Sequence, residues 1–117
     1  MVENDDDGMG APAAKRVGPP EVPPVVQGST RFEVIHWGRD RGLGQNGGYI
    51  AALDDASDRE LWTLKIYGVS YDPELEEDVQ DVFIEKMTAI RADALEIVDE
   101  KGRRYLVNPQ ARRVTAA

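Results

Sequence analysis

Three glycines near the middle of the chain have the spacing of a phosphate-binding loop. Gly42, Gly44 and Gly47 spell G-x-G-x-x-G directly after a segment with strand character. In dinucleotide-binding proteins these glycines let the backbone approach a pyrophosphate, and a helix must follow so that its N-terminus faces the phosphates. One hypothesis is therefore a small nucleotide- or dinucleotide-binding protein that uses the Gly42–Gly47 loop.

The residues after the glycines favour a turn and strands over that helix. Asn46-Gly47 is a strong turn signal because both residues tolerate positive φ. The run from Asp54 to Asp58 is rich in side chains that compete for backbone hydrogen bonds and so disfavour a helix. A helix from Tyr49 to Leu61 would support the nucleotide hypothesis. We expect a structural turn there instead, and no cofactor.

Other candidate chemistry in the sequence is weaker still. Alternating acids suggest a calcium loop, and they are Asp72, Glu74, Glu76 and Asp78. That loop needs Gly at its sixth position and Glu at its twelfth, where Glu77 and Phe83 stand. His36 is the single histidine, cysteine is absent, and no serine lies in a G-x-S-x-G motif. We expect no metal site and no catalytic residue, which argues against an enzyme.

The elements that would position these residues have mainly β character. Period-two alternation predicts strands over Arg31–Trp37 and in the two segments on either side of the polar turn that ends at Glu60. The segment from Ala94 to Pro109 has the pattern of a hairpin that turns at Lys101-Gly102. Val114 begins a possible last edge strand. The fold class that follows is a small antiparallel sheet.

The acidic segment after Asp72 permits two interpretations. Asp72 is a good N-cap, Pro73 suits a first helical turn, and apolar residues recur at helical spacing, so a helix over residues 73–92 would give an α+β fold. The stretch from Val82 to Ile90 is also a passable strand. We favour a short helical turn at Pro73–Val79 followed by a strand.

Length, composition and charge limit the class of protein. Of the 117 residues, 1–28 form an acidic, proline-rich tail predicted to be disordered, and 29–117 form a single β-rich domain. The net charge of −8 disfavours nucleic acid as a partner. No apolar run is long enough to cross a membrane, and the acidic N-terminus is unlike a secretory signal. We expect a cytoplasmic protein without membrane attachment.

The stretch "GGYIAALDDASDRELWTL" resembles the strand-turn-strand unit of quinoprotein-type β-propeller repeats. Tyr49, Ala52, Asp54, Leu61 and Trp62 match that unit, although Ser-Asp replaces the usual Thr-Gly of its turn. With "DVQDVFI" and "EIVDEKGRRYLV", the sequence also resembles a family of small uncharacterised bacterial proteins. The resemblance implies a blade-like meander of antiparallel strands, and it implies no activity.

Aromatic residues exceed what so small a core needs, and this favours an interaction module over an enzyme. We expect a protein partner or a second copy to bind a sheet edge or an aromatic face. An acidic segment, Asp72 to Asp81, and arginine pairs that include Arg103-Arg104 would supply opposite charges for self-association. The candidate partner-binding residues are Trp37, Tyr49, Trp62, Tyr67, Arg103 and Arg104.

Overall fold

A computed structural model describes residues 18–76 and 79–117 of the chain. Within these ranges there are eight strands: β1 (Val25–Gln27), β2 (Thr30–Ile35), β3 (Tyr49–Asp54), β4 (Glu60–Lys65), β5 (Ile84–Arg91), β6 (Ala94–Asp99), β7 (Arg104–Asn108) and β8 (Arg113–Ala116). The predicted class, mainly β with antiparallel strands, is confirmed. The alternative of a helix at about 73–92 is wrong, because β5 occupies residues 84–91 of that segment and none of its other described residues is helical.

The short helical turn lies elsewhere than predicted. A single 3-10 turn, Gly38–Arg41, follows β2, whereas the described residues after Pro73 form non-helical turns. The side-chain amide of Gln80 explains the difference. It donates to the carbonyl oxygens of Asp72, Leu75 and Glu76 at 3.1 to 3.2 Å, so it occupies acceptors that a helix would have used. Part of the predicted turn, residues 77 and 78, lies outside the described residues.

The strands form two four-stranded sheets, each an antiparallel meander. Sheet A has the order β1-β2-β3-β4 and sheet B the order β5-β6-β7-β8. The predicted hairpin at Lys101-Gly102 joins β6 to β7, and Gly102 has the positive φ of 83° that the turn requires. The predicted edge strand at Val114 is β8, which pairs with β7.

The two sheets pack on one shared hydrophobic core. Its buried members come from both sheets and from the segments that flank β4 and β5: Phe32, Ile50, Ala52, Ile66, Tyr67, Val82, Ile84, Met87, Leu95, Ile97 and Val107. Every second residue of β3, β6 and β7 contributes to this core (Ile50 and Ala52, Leu95 and Ile97, Tyr105 and Val107), so one face of each sheet packs against the other. The sheets come closest where β1 faces β5.

The glycine-rich loop between β2 and β3 covers the outer face of sheet A. Leu43 from this loop packs on Ile35, Tyr49 and Ala51, which lie on the face of the sheet that points away from the main core. The backbone after the loop enters β3 directly. The helix that a dinucleotide-binding loop requires is therefore absent from residues 49–61, and the nucleotide hypothesis loses its structural basis.

Gly47 is required for close packing and Gly48 for its backbone conformation. A side-chain carbon at Gly47 would collide with the carbonyl oxygen of Val82 and lie 3.1 Å from the Cα of Phe83. The positive φ of 90° belongs to Gly48. The chain bends at the predicted turn, but neither Asn46 nor Gly47 uses the positive φ that both residues tolerate.

The end of the range predicted as a tail, residues 1–28, is part of sheet A. Residues 25–27 form β1, which pairs with β2, and Val22 and Val25 pack against the shared core. These valines bury apolar surface that composition alone assigned to a disordered spacer. The remainder of the predicted tail, residues 1–17, lies outside the described residues.

Candidate functional site

β4 ends sheet A, and within residues 18–76 and 79–117 it has a hydrogen-bonded strand on one side only. Just beyond β4, the backbone N–H of Ile66 donates to the carbonyl of Gly48 at 2.7 Å. Bonded and non-bonded pairs alternate along an antiparallel ladder, so Leu64 and Trp62 also direct their backbone groups toward β3. The backbone groups of Thr63 and Lys65 therefore point away from the sheet, where another strand could pair with them.

The side chains of β4 alternate between the core and the solvent. Trp62 and Leu64 pack against the shared core, and the Trp62 ring lies 6.0 Å from the ring of Phe32. The guanidinium of Arg112 lies 5.6 Å from the centre of the Trp62 ring, a cation–π contact that joins the edges of the two sheets. Thr63 is exposed on the opposite face.

β4 begins with an acidic residue, Glu60, and ends with a basic one, Lys65, and a β-bulge lies near its start. Ala52 pairs with Trp62 and Leu53 pairs with Glu60, so Leu61 is the extra residue, and 44% of it is exposed. The bulge turns Glu60 to the outer face, where its carboxylate accepts hydrogen bonds from Arg41. Lys65 makes no ion pair with any described residue. Between the two charges lies an uncharged run from Leu61 to Leu64.

The other three outer strands carry features that hinder strand addition. β1 has three residues and follows Pro23-Pro24. β5 has two register irregularities, carries charged residues, and has its last carbonyl, that of Arg91, bound by the side chain of Gln27 at 2.8 Å. β8 has four residues and begins with Arg113. Short length, proline, bulges and charge are the usual protections of a sheet edge, so β4 is the least protected of the four.

The turn between β6 and β7 is built around a fully buried carboxylate. Asp99 accepts hydrogen bonds from the backbone N–H groups of Lys101 and Arg103, from the Arg103 side chain and from the hydroxyl of Tyr105, all at 2.9 to 3.0 Å. Burial by itself would raise the pKa of Asp99, but the hydrogen bonds from Arg103 and Tyr105 outweigh it and lower that pKa below its usual range. The carboxylate is therefore held in its charged form.

A second buried network fixes the loops at the same end of the molecule. The Gln45 side chain donates to the carbonyls of Gly47 and Tyr67 and accepts from the backbone of Val69. The hydroxyl of Tyr67 donates to the carbonyl of Val82 at 2.7 Å. Burial raises the pKa of Tyr67, so the hydroxyl remains a donor. These bonds join the three loop segments into one closed end.

An open groove of about 720 Å³ lies beside this end. Its lining consists of Gly68, Val69, Ser70, Val79, Gln80, Asp81, Val82, Glu100, Lys101 and Arg103. Asp81 is buried and accepts hydrogen bonds from Tyr71 at 2.6 Å and Asn46 at 3.1 Å. Burial and the bond to Asp81 raise the pKa of Tyr71 to about 12. The groove is thus lined mainly by polar groups that already have partners within the chain.

The structure separates the six predicted partner-binding residues. Tyr49 and Tyr67 are 6% and 8% exposed, so they are core side chains and are not available to a partner, which corrects that part of the prediction. Trp37 is 48% exposed and packs edge-on against Phe83, 5.6 Å between ring centres, on the loop side of the molecule. Trp62 is partly buried in β4. Period-two alternation could not predict this burial, because it does not show that a loop covers Tyr49 or that Tyr67 stacks on Tyr105 of the other sheet.

The arginine pair also has partners within the chain. The Nε of Arg103 lies 2.9 Å from the Asp99 carboxylate, and Arg104 lies 3.7 Å from Glu96. Opposite charge on the acidic segment is therefore not needed to neutralise either side chain.

His36, the single histidine, packs edge-on against Phe83.

Sequence reasoning missed the backbone edge at Thr63. A signal was present, because the Leu61-Trp62-Thr63-Leu64 run has no charge, proline or glycine. What the pattern could not show is that β4 would end its sheet. Whether β4 lies at an edge depends on where the chain goes after it. Here an 18-residue connection leads to β5, which belongs to the other sheet.

Comparisons with known proteins give no relative for this chain. No protein-family model matches it, and searches of curated proteins and of solved structures found no match. In the described part of the chain, no helix has the length and apolar character needed to span a membrane. Nor do three or more His, Cys, Asp or Glu residues of that part converge in a group that could hold a metal ion.

Proposed function

We propose that this protein is a non-catalytic protein-interaction module that binds a partner by adding the partner's extended segment to β4. The observation that carries the proposal is the outward-facing backbone of Thr63 and Lys65 in the least protected of the four outer strands. In strand addition the main-chain hydrogen bonds give affinity, and alternate side-chain contacts give specificity.

The side chains around β4 would supply that specificity. The partner's inward-facing residues would extend the core beside Trp62 and Leu64, where the Arg112 guanidinium lies over the indole. Its outward-facing residues would meet Thr63 and the charges of Glu60 and Lys65. Because exposed ion pairs contribute only about 0.2–1 kcal/mol each, the apolar contact at Trp62 is expected to dominate the affinity.

The experiment that tests the proposal selects peptides against the folded full-length chain by phage display and maps their binding by NMR. We expect selected peptides to shift the amide signals of Thr63 and Lys65 and to protect them from exchange. Thr63→Pro removes the outward N–H without removing a bond to β3, so it should abolish binding. Thr63→Val keeps the N–H and serves as the matched control, for which we expect retained binding.

Two results would contradict the proposal. One is equal binding of the selected peptides to Thr63→Pro and to the unchanged protein. The other is a set of shifts confined to the polar groove, at Lys101 and Arg103, with β4 unaffected. Either result would move the interaction site away from the sheet edge.

A further inference from the structure

The identity of the partner follows from the pattern of β4 itself, and this step rests on the proposed function. We infer that β4 pairs with the β4 of a second copy of this chain, antiparallel, with Thr63 opposite the partner's Thr63. The pair would join the two A sheets into one continuous eight-stranded sheet across a twofold axis.

The backbone geometry restricts the register. Thr63 and Lys65 are the β4 residues whose N–H and C=O groups face outward, so these residues must occupy the hydrogen-bonded positions of the new ladder. With Thr63 opposite the partner's Thr63, the two threonines exchange a pair of N–H···O=C bonds at the centre. Trp62 then lies opposite the partner's Leu64 on the core face, and this pairing occurs twice.

The charges of β4 match the same register. The bulge at Leu61 places Glu60 one ladder position beyond Trp62 on the outer face, so it lies opposite the partner's Lys65. Lys65 has no ion pair with a described residue of its own chain, and the twofold axis would supply it with the partner's Glu60. A strand that is acidic at one end and basic at the other is complementary to itself only when antiparallel.

The other edges give no comparable match. β5 has a bulge near each end and a side chain bound to its last carbonyl, while β1 and β8 are too short to form more than one or two bonded pairs. A twofold pairing through β4 leaves no free edge of β4 for a third copy, so the assembly closes at two. The interface is small, and a reversible dimer of micromolar or weaker affinity is expected.

Sedimentation equilibrium of the full chain over a wide range of concentration tests the inference. We expect a monomer–dimer equilibrium in the unchanged protein and a monomer for Thr63→Pro. Lys65→Glu turns both end pairs from attractive to repulsive and should weaken the dimer roughly tenfold at low salt. The matched control is Lys86→Glu, the same charge change at an exposed position of β5, which should leave the dimer constant unchanged.

The register is tested by mixing two variants. Glu60→Lys and Lys65→Glu should each dimerise poorly alone, and an equimolar mixture should recover a heterodimer, because each end again joins opposite charges. Circular dichroism and thermal melting of each variant confirm that it is folded. A mixture that associates no better than its components would overturn the register, and a Thr63→Pro dimer as strong as the unchanged one would overturn pairing through β4.

Failure of this inference differs from failure of the proposed function. A chain that stays monomeric at high concentration, yet binds selected peptides at Thr63, contradicts self-pairing and leaves strand addition intact. A monomer that binds no strand at β4 contradicts both.

Discussion

The closed end of the molecule and the open edge at β4 differ in whether their polar backbone groups have hydrogen-bond partners within the described chain. At the closed end, Asp99, Gln45 and Tyr67 bind the backbone groups of three loop segments. Along β4, the groups of Thr63 and Lys65 have no strand beside them within the described residues. Buried loops must satisfy their polar groups internally, whereas an edge can leave that task to water or to a partner. The closed end therefore gives stability, and the open edge gives a place to bind.

The largest effect is expected from Gly47→Ala at the closed end. The new methyl group would collide with the carbonyl of Val82 where two loop segments touch, so the loops must separate. We expect a loss of about 3 kcal/mol in the free energy of unfolding, measured by urea denaturation. Gly44→Ala is the matched control, because its added carbon has only the Tyr49 hydroxyl within reach, at 3.9 Å. Equal stability of the two variants would show that the loops at Gly47 are not tightly packed.

The next largest effect concerns Asp99. Asp99→Asn removes the negative charge to which Arg103 and Tyr105 donate hydrogen bonds. It should lower the free energy of unfolding by about 2 kcal/mol. Asp54 offers the matched control, because it also accepts backbone bonds in the turn after a strand, from Ala56 at 3.0 Å, but lies in a more exposed turn. Asp54→Asn should lower the free energy of unfolding by about 0.5 kcal/mol.

The pH dependence of stability supplies a second measurement on Asp99. Its pKa is lowered in the folded chain, so its contribution to stability is present above the ordinary pKa of an aspartate and is lost as the pH falls through the lower, folded-state pKa. Asp99→Asn should therefore lose part of the acid sensitivity of the unfolding free energy. An unchanged acid profile would show that another carboxylate is responsible.

Much of this closed end could be predicted from the sequence. The Lys101-Gly102 turn and the strands on both sides of it follow from alternation and turn chemistry, and both are confirmed. The division into two sheets could not be predicted, because stacking joins residues far apart in the chain. The same limit applies to Tyr49 and Tyr67, whose burial depends on a loop and on the opposite sheet.

The site was harder to predict than the fold for a related reason. The sequence predicted binding at a sheet edge but not which strand would form that edge. The alternation of side chains shows which residues share a face of a sheet, whereas the position of a strand at an edge depends on the whole topology. The expected role of Arg103 and Arg104 assumed that their charges have no partner within the chain. In the structure Arg103 pairs with Asp99 and Arg104 with Glu96. Only Trp37 and Trp62 of the predicted aromatic residues retain exposed or edge positions.

The smallest effect on the monomer is expected from Thr63→Pro. Its N–H faces outward, so proline removes no bond to β3, and the free energy of unfolding at low concentration should fall by about 1 kcal/mol or less. Thr63→Ala is the control for the lost side chain. A loss above about 3 kcal/mol, the cost of proline inside a bonded ladder, would show that the Thr63 N–H already has a partner within the chain.

Amide hydrogen exchange along β4, followed by NMR as a function of protein concentration, tests the open edge most directly. The amides of Trp62 and Leu64 bond to β3 and should exchange slowly at every concentration. The amides of Thr63 and Lys65 should exchange rapidly in dilute solution and become protected as the concentration rises. Rapid exchange of Thr63 and Lys65 at all concentrations and with every selected peptide, or slow exchange already in the dilute monomer, would contradict the account.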